Sequence, residues 1–180
     1  MQADPYLNDA LEQFQKMKAL ADKAIDQISR EDFFRALDQE SNSVGLIIKH
    51  MAGNMRSRWT DFLTTDGEKP DRNRDAEFIA GEGETRESIL AQWEHGWHLV
   101  FSAIEPLSAR DLVRTVLIRH EPHSVMQAVN RQLIHYAYHV GQIVFLAKHF
   151  AAGQWQSLSI PRGKSEEFNA EKQKKTKQAG

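Results

Sequence analysis

His135 and His139 stand four residues apart in the stretch LIHYAYHVGQI. Four residues is slightly more than one helical turn, so on a helix both imidazoles leave the same face and can converge on one point. That is the geometry of a metal clamp. Chance is a close competitor, because eight histidines in 180 residues give about 0.4 pairs at that spacing in a random chain. Two pairs at spacing three compete for the role. His95 and His98 lie on a helical stretch beside Trp93 and Trp97, and His120 and His123 flank Pro122 in a loop.

Three features favour His135 and His139. Their neighbours are apolar, where an unpaired imidazole is costly to desolvate. Gln142 follows one turn later as a hydrogen-bond partner for a ligand. Another apolar helix offers His50, with Asn54 one turn beyond it, and can supply a third ligand if the two helices face each other. Three neutral imidazoles with an open position held by water form a catalytic type of metal site. The competing reading makes them core histidines satisfied by backbone carbonyls and tyrosine hydroxyls. Spacing alone leaves both readings open.

The elements that must position these residues are helices. Asp4 can cap a first helix with Pro5 at its first position, and Leu7, Leu11, Phe14, Ala21, Ile25 and Ile28 recur at helical spacing to an end near Ser29. The linker REDFFRALDQESN holds one helical turn through Phe33 and Phe34. Ser43 caps a second long helix whose stripe runs Val44, Ile47, Ile48, Met51, Met55, Trp59 and Phe62. TTDGEKPDRNRDAEFIAGEGE reads as a long loop or an ordered excursion. A third long helix follows a Thr85 cap and stops at Pro106, and LVRTVLIRHEP is expected to be extended loop with no partner strand. Ser124 and Gln127 form a capping-box pattern that opens the fourth long helix, which ends at Gly153. The fold class is all-α, a four-helix bundle of antiparallel type.

Composition bounds the rest. A chain that is 41% hydrophobic and 27% charged fits one domain, over residues 1–165, with enough length to bury a full core. Residues 166–180 read as a polar, Lys-rich, disordered tail. The basic cluster Lys164, Lys172, Lys174, Lys175 and Lys177 has no aromatic residue after Phe168 to stack on bases, and the net charge is -2. Both argue against a nucleic-acid partner. Cysteine is absent, which excludes disulfides, thiolate ligands and a cysteine nucleophile, so any metal is held by histidine and oxygen. The N-terminal stretch has no signal-peptide pattern, and no run of eighteen apolar residues occurs. A cytoplasmic protein without membrane contact is expected.

NSVGLIIKHMAGNMRSRW on the second long helix and HYAYHVGQI on the fourth, read together, resemble the DinB/YfiT-like metalloenzyme superfamily. The resemblance covers about residues 5 to 152. It implies a four-helix bundle holding a divalent ion through His50, His135 and His139, with Gly141 and Gln142 as the recurring G-Q after the pair. Many superfamily members carry a basic residue where this chain has Val140. HMAGNMRSRWTDFLTTDGEKPDRNRD and LSIPRGKSEEFN are further similar to a bacterial subfamily known only as a domain of unknown function. The superfamily includes thiol transferases and a thiol-dependent isomerase. The resemblance therefore implies a transferase or isomerase acting on a small electrophile with a low-molecular-weight thiol, and a homodimer.

A metal held by three histidines can lower the pKa of a bound water, as in a hydrolase, or hold a thiol cosubstrate as thiolate. Arg56, Arg58, Lys69, Arg72, Arg74, Arg162 and Lys164 are candidates to bind the carboxylates of such a thiol. Three imidazoles suit zinc or nickel, and also iron or copper. A diiron oxidase needs E-x-x-H pairs and a zinc protease H-E-x-x-H, and the chain has neither. The rival class is a non-enzymatic metal-binding or stress-response scaffold, in which some of Trp59, Trp93, Trp97 and Trp155 cover a subunit interface.

Overall fold

Asp4 starts the first helix, α1 (Pro5–Ile25), by accepting the backbone N–H groups of Tyr6 and Leu7 at 3.0 and 3.1 Å. The helix stops short of the expected end at Ser29, because Ser29 instead caps the short α2 (Arg30–Phe34) through the N–H of Asp32. Ser43 caps α3 (Val44–Trp59), Thr85 caps α4 (Arg86–Ile104) and Ser124 caps α5 (Val125–Ala151), the last two with full capping boxes. The computed structural model describes residues 4–179. Residues 1–3 and 180 lie outside it, as do the side chains from 175 onward, Lys175 and Lys177 included.

The four long helices form a bundle, but not with alternating directions. Tyr6 of α1 donates to Asn130 at the start of α5, and Gln27 beyond the end of α1 bonds the backbone of Gln156 beyond the end of α5. These two helices are therefore parallel. So are α3 and α4. Leu46 and Ile89 line one hollow near their starts, Gly96 packs on Ala52 and Met55 midway, and Trp59 shares another with Leu99 and Ser102 toward their ends. Arg86 of α4 donates to the carbonyls of Ile25 and Ile28, which sets α4 antiparallel to α1. The expectation of an antiparallel-type bundle is corrected accordingly.

Parallel neighbours need a long return connection. After α3 the chain touches the far end of the bundle, where the N–H of Gly67 donates to Leu117 at 2.8 Å. It then climbs back along α3 through a 3-10 turn, Asp75–Phe78, to Ile79 and Glu84, both of which bind Lys49. The segment read as a loop or an ordered excursion is thus an ordered strap laid on α3.

A second correction concerns LVRTVLIRHEP. Thr115–Ile118 (β1) pairs antiparallel with Glu121–Ser124 (β2), with Ile118 opposite Glu121. The partner strand, EPHS, is polar and contains Pro122, so it carries no strand pattern of its own. The turn is made by Arg119 and His120 at φ 54° and 66°, the left-handed pair that a two-residue hairpin needs and that Asn-Gly usually supplies. Asp66 on the strap accepts both turn N–H groups at 2.9 and 2.7 Å.

The core takes three of the four tryptophans. Trp59, Trp93 and Trp97 are at most 3% exposed, so these three have no surface to give a subunit interface, and Trp155 is half-buried against the same cluster. Phe14, Trp59, Trp97 and Tyr136 meet edge-on or tilted, with ring centroids 5.6–6.2 Å apart. Such pairs join all four helices. Within the expected tail, residues 166–180, the described residues belong to a helix, α6 (Ser165–Ala179), whose described side chains are all exposed. Nothing in the polar composition gives it a face to bury. Among the described residues no helix is long and apolar enough to cross a membrane.

The hairpin turn yields a prediction. His120 holds a left-handed conformation, and its side chain is almost wholly exposed. His120→Gly should raise stability by about 1 kcal/mol by removing the steric cost of a Cβ there. A urea midpoint that falls in this variant would contradict the account of the turn.

Candidate metal centre

His50 projects from the middle of α3 toward His135 and His139 on α5. Its Nε2 lies 3.4 Å from Nε2 of His135, which lies 3.0 Å from Nε2 of His139. The three rings offer ligand atoms all within 4.8 Å of one another, and this is the one such cluster found among the described residues. Nitrogens bound to one tetrahedral ion at about 2.0–2.1 Å lie roughly 3.3 Å apart. The two closest separations are of that size, so the residues present fit a single small divalent ion. Three histidines and no thiolate suit zinc or nickel as well as iron or copper.

The opposite nitrogens say which way the rings are wired. Nδ1 of His50 lies 2.8 Å from Oε2 of Glu77, and Nδ1 of His139 lies 2.8 Å from Oε1 of Gln142. A carboxylate only accepts, so Nδ1 of His50 is the donor to Glu77 and Nε2 is the nitrogen turned inward. Gln142 presents its carbonyl because its amide nitrogen is turned to the Tyr138 hydroxyl, and the same holds for His139. This is the arrangement by which outer groups orient metal-ligating imidazoles. The alternative of core histidines called for backbone carbonyls and tyrosine hydroxyls as partners. Among the described residues none bonds these three rings: the Tyr136 hydroxyl donates to Asn54 and accepts from Trp59, and that of Tyr138 accepts from Gln142.

Glu77 is the component that sequence reasoning missed. It sits in the polar strap, where a carboxylate looks like any solvated charge, yet it is 7% exposed. Arg72 grips it with two bonds of 2.8 and 2.9 Å. The next residue, Phe78, stacks on the His50 ring at 4.6 Å. Gly53 makes the approach possible, since a Cβ there would run into the Glu77 side chain. The glycine in HMAGNM is the only trace of this contact in the sequence.

Charge states follow from these surroundings. Burial, then the neighbouring His139, His50, Arg58 and Arg72, push the His135 imidazole down to about 3. His139 is also lowered, by burial and by His50 and Arg74, against the opposing Gln142 bond. Both rings are therefore neutral at pH 7, as ligation requires. Burial alone would raise Glu77, but the hydrogen bonds from His50 and Arg72 and the Arg72 charge outweigh it and hold the carboxyl below its usual range.

A cleft of about 430 Å³ opens beside His50 and His135 and is lined also by Asn54, Arg58, Arg72, Arg74, Arg119, Arg131 and Gln132. Arg58, Arg72 and Arg74 are thus at the site, as expected from the sequence. Arg119 and Arg131 were not expected there. Asn54 lines the cleft but bonds Tyr136 rather than one of the three histidines. The other expected anion binders are elsewhere. Arg56 is exposed and pairs with Asp71, Lys69 donates to Thr65 and to the Asp66 carbonyl, Lys164 pairs with Glu167, and Arg162 is exposed away from the cleft. The competing histidines make no cluster: His95 and His98 are exposed on α4, and His120 and His123 are exposed or half-buried at the hairpin.

Fold and site together define a four-helix bundle with a three-histidine cluster between its second and fourth long helices. The family model described as "Protein of unknown function (DUF1572)" matches residues 1–164, and the chain belongs to that family. No curated protein matches it.

Two predictions come from this geometry. Glu77→Gln and Gly53→Ala should each weaken divalent-metal binding about 10- to 100-fold while leaving helical circular dichroism intact. Unchanged affinity in both would remove Glu77 from the site. In the metal-free protein, His135 stays neutral down to about 3, whereas in the unfolded chain it takes up a proton below its ordinary value near 6.5. The unfolded state then binds more protons, so this histidine makes stability fall as pH drops from about 6.5 toward 3. Urea midpoints across that range should fall less steeply for His135→Ala, and equal slopes would refute the assignment.

Proposed function

We propose that this chain is a metal-dependent protein of the DinB/YfiT-like superfamily, and that His50, His135 and His139 hold one divalent ion, zinc or nickel, as the reactive centre of a small-molecule transferase. The observation that carries the reading is the convergence of three Nε2 atoms while Glu77 and Gln142 occupy the opposite nitrogens of two of the rings. A buried imidazole cluster with no chemical task would be left with lone pairs facing one another.

When bound, the ion supplies a Lewis acid that acidifies a thiol or a water at an open coordination position. The chain's own residues do the rest. Glu77 and Gln142 hold two rings in register, Phe78 shields the back of His50 from solvent, and the cleft leaves one side of the cluster open for reactants. Without a cysteine, any thiol comes from a cosubstrate. Its sulfur would form a bond to the electrophilic carbon, the leaving group would depart with the electron pair, and the thiol proton would pass to solvent.

The second reading, a metal-binding scaffold without turnover, is favoured by the exposed stripe Ile134, Tyr138 and Phe145 on α5. These residues sit four and seven apart, the spacing of one apolar helix face, and a cytoplasmic homodimer would cover them. Light scattering checks the dimer, and a monomer mass at micromolar concentration would rule it out.

Untagged protein should contain one divalent ion per chain, and His135→Ala should contain none while still unfolding cooperatively, since a core of this size does not need a metal to fold. Loss of helical structure on chelation would instead make the histidines a structural staple. Turnover of an electrophile by the metal-loaded protein with a small thiol, absent from His135→Ala, separates the enzyme from the scaffold.

A further inference from the structure

The cleft beside the histidines has an unusual charge pattern. Five guanidinium groups line it, from Arg58, Arg72, Arg74, Arg119 and Arg131, and no carboxylate does. The acids that face these arginines stand behind them. Glu68 contacts Arg58 at 3.0 Å, Arg119 at 3.1 Å and Arg72 at 3.4 Å, and Glu77 takes the other side of Arg72. Asp75 approaches Arg74 only at 3.9 Å and is 95% exposed. Arg131 has no ion-pair partner among the described residues. Three carboxylates, buried Glu77, half-buried Glu68 and exposed Asp75, thus face five cations.

The inner wall also has unused hydrogen-bonding capacity. Arg58 and Gln132 are buried, at 6% and 3% exposure, and both line the cleft. Nε of Arg58 and Oε1 of Gln132 have no hydrogen-bond partner. Leaving such groups bare costs free energy, and both atoms are closed to solvent as the wall stands, so they show an inner wall whose polar groups are not fully satisfied by the protein. The buried arginines cannot turn away to solvent, because Arg58 also donates to the Gly67 carbonyl and Arg72 is clamped by Glu77.

We propose that this cleft is a recognition site for a small organic polyanion, a molecule with at least two carboxylates or a phosphate. Arg74, Arg119 and Arg131 contact its charged groups at the rim, and Arg58 and Arg72 add positive charge from the inner wall. The inference rests on the three-histidine reading only for what lies next to the bound anion. It adds the chemical class of the substrate or cosubstrate that reaches that centre. Guanidinium suits both acids because its planar fork matches carboxylate and phosphate oxygens alike.

The test is calorimetry on chelated, full-length protein with three probes: tricarballylate, inorganic pyrophosphate and the neutral triamide of tricarballylate. At least one anion should bind saturably with one site per chain, weakening as salt is raised, and the triamide should not bind. Whichever anion binds more tightly assigns the carboxylate or the phosphate. Arg119→Gln and Arg131→Gln should each weaken that binding by about tenfold, and the triple variant with Arg74→Gln should abolish it. If neither anion saturates the wild type, or if the triple variant binds as well as the wild type, the proposal is wrong. Elemental analysis of the same variants keeps the two readings apart. Intact metal loading with no anion site overturns the cleft alone, and an anion site with no metal loading overturns the histidine centre alone.

Discussion

Because α3 and α4 run parallel, the chain has to travel back along the whole of α3 before α4 can begin, and most of the site depends on that return. α3 has 16 residues, about 24 Å of helix, and the strap covers this span in contact with it. Its 3-10 turn places Glu77 on His50 and Phe78 on the same ring, while Arg72 just before the turn clamps Glu77. A bundle with alternating directions would have joined the two helices by a short loop at one end. The histidine of α3 would then have faced α5 with nothing behind it.

The strap brings charge into a place where charge is costly. Arg58, Arg72 and Glu77 have buried side chains and Glu68 is half-buried, and their ion pairs recover part of the desolvation penalty. The network is therefore weak support for stability and stronger support for position. Each member is held by at least two others or by backbone, so Glu77 cannot rotate away from His50 without stranding Arg72. A neutral His135 completes the balance, since a protonated ring beside Arg58 and Arg72 would add a like charge to the cluster.

An aromatic junction holds the two histidine-bearing helices at the right separation. Tyr136, next to His135, is fully buried, accepts from Nε1 of Trp59 at 3.0 Å and donates to Asn54 at 3.1 Å. Burial raises its hydroxyl well above the ordinary tyrosine range, so it remains a donor at any physiological pH. Asn54, a residue of the cleft wall, thus works on the helix spacing rather than on a ligand ring. Gly96 supports the same end of α3 from the other side, where a Cβ would crowd Met55.

The sequence by itself determined the helices, their caps and the three histidines. Those features are written in local periodicity: Ser43, Thr85 and Ser124 cap where they were expected to, and His135 with His139 must share a face wherever their helix goes. The tertiary structure decided which helices run parallel, and with that the partner of His50, because Glu77 lies 27 residues away on a strap whose composition matches solvated loop. It also decided the hairpin. The left-handed turn at Arg119 and His120 is held by Asp66, a residue far off in the chain, and no local pattern could announce it. The arginine cleft is of the same kind, since Arg58, Arg74, Arg119 and Arg131 come from α3, the strap, the hairpin and α5. Charges scattered over four elements look like ordinary surface until packing turns them toward one space.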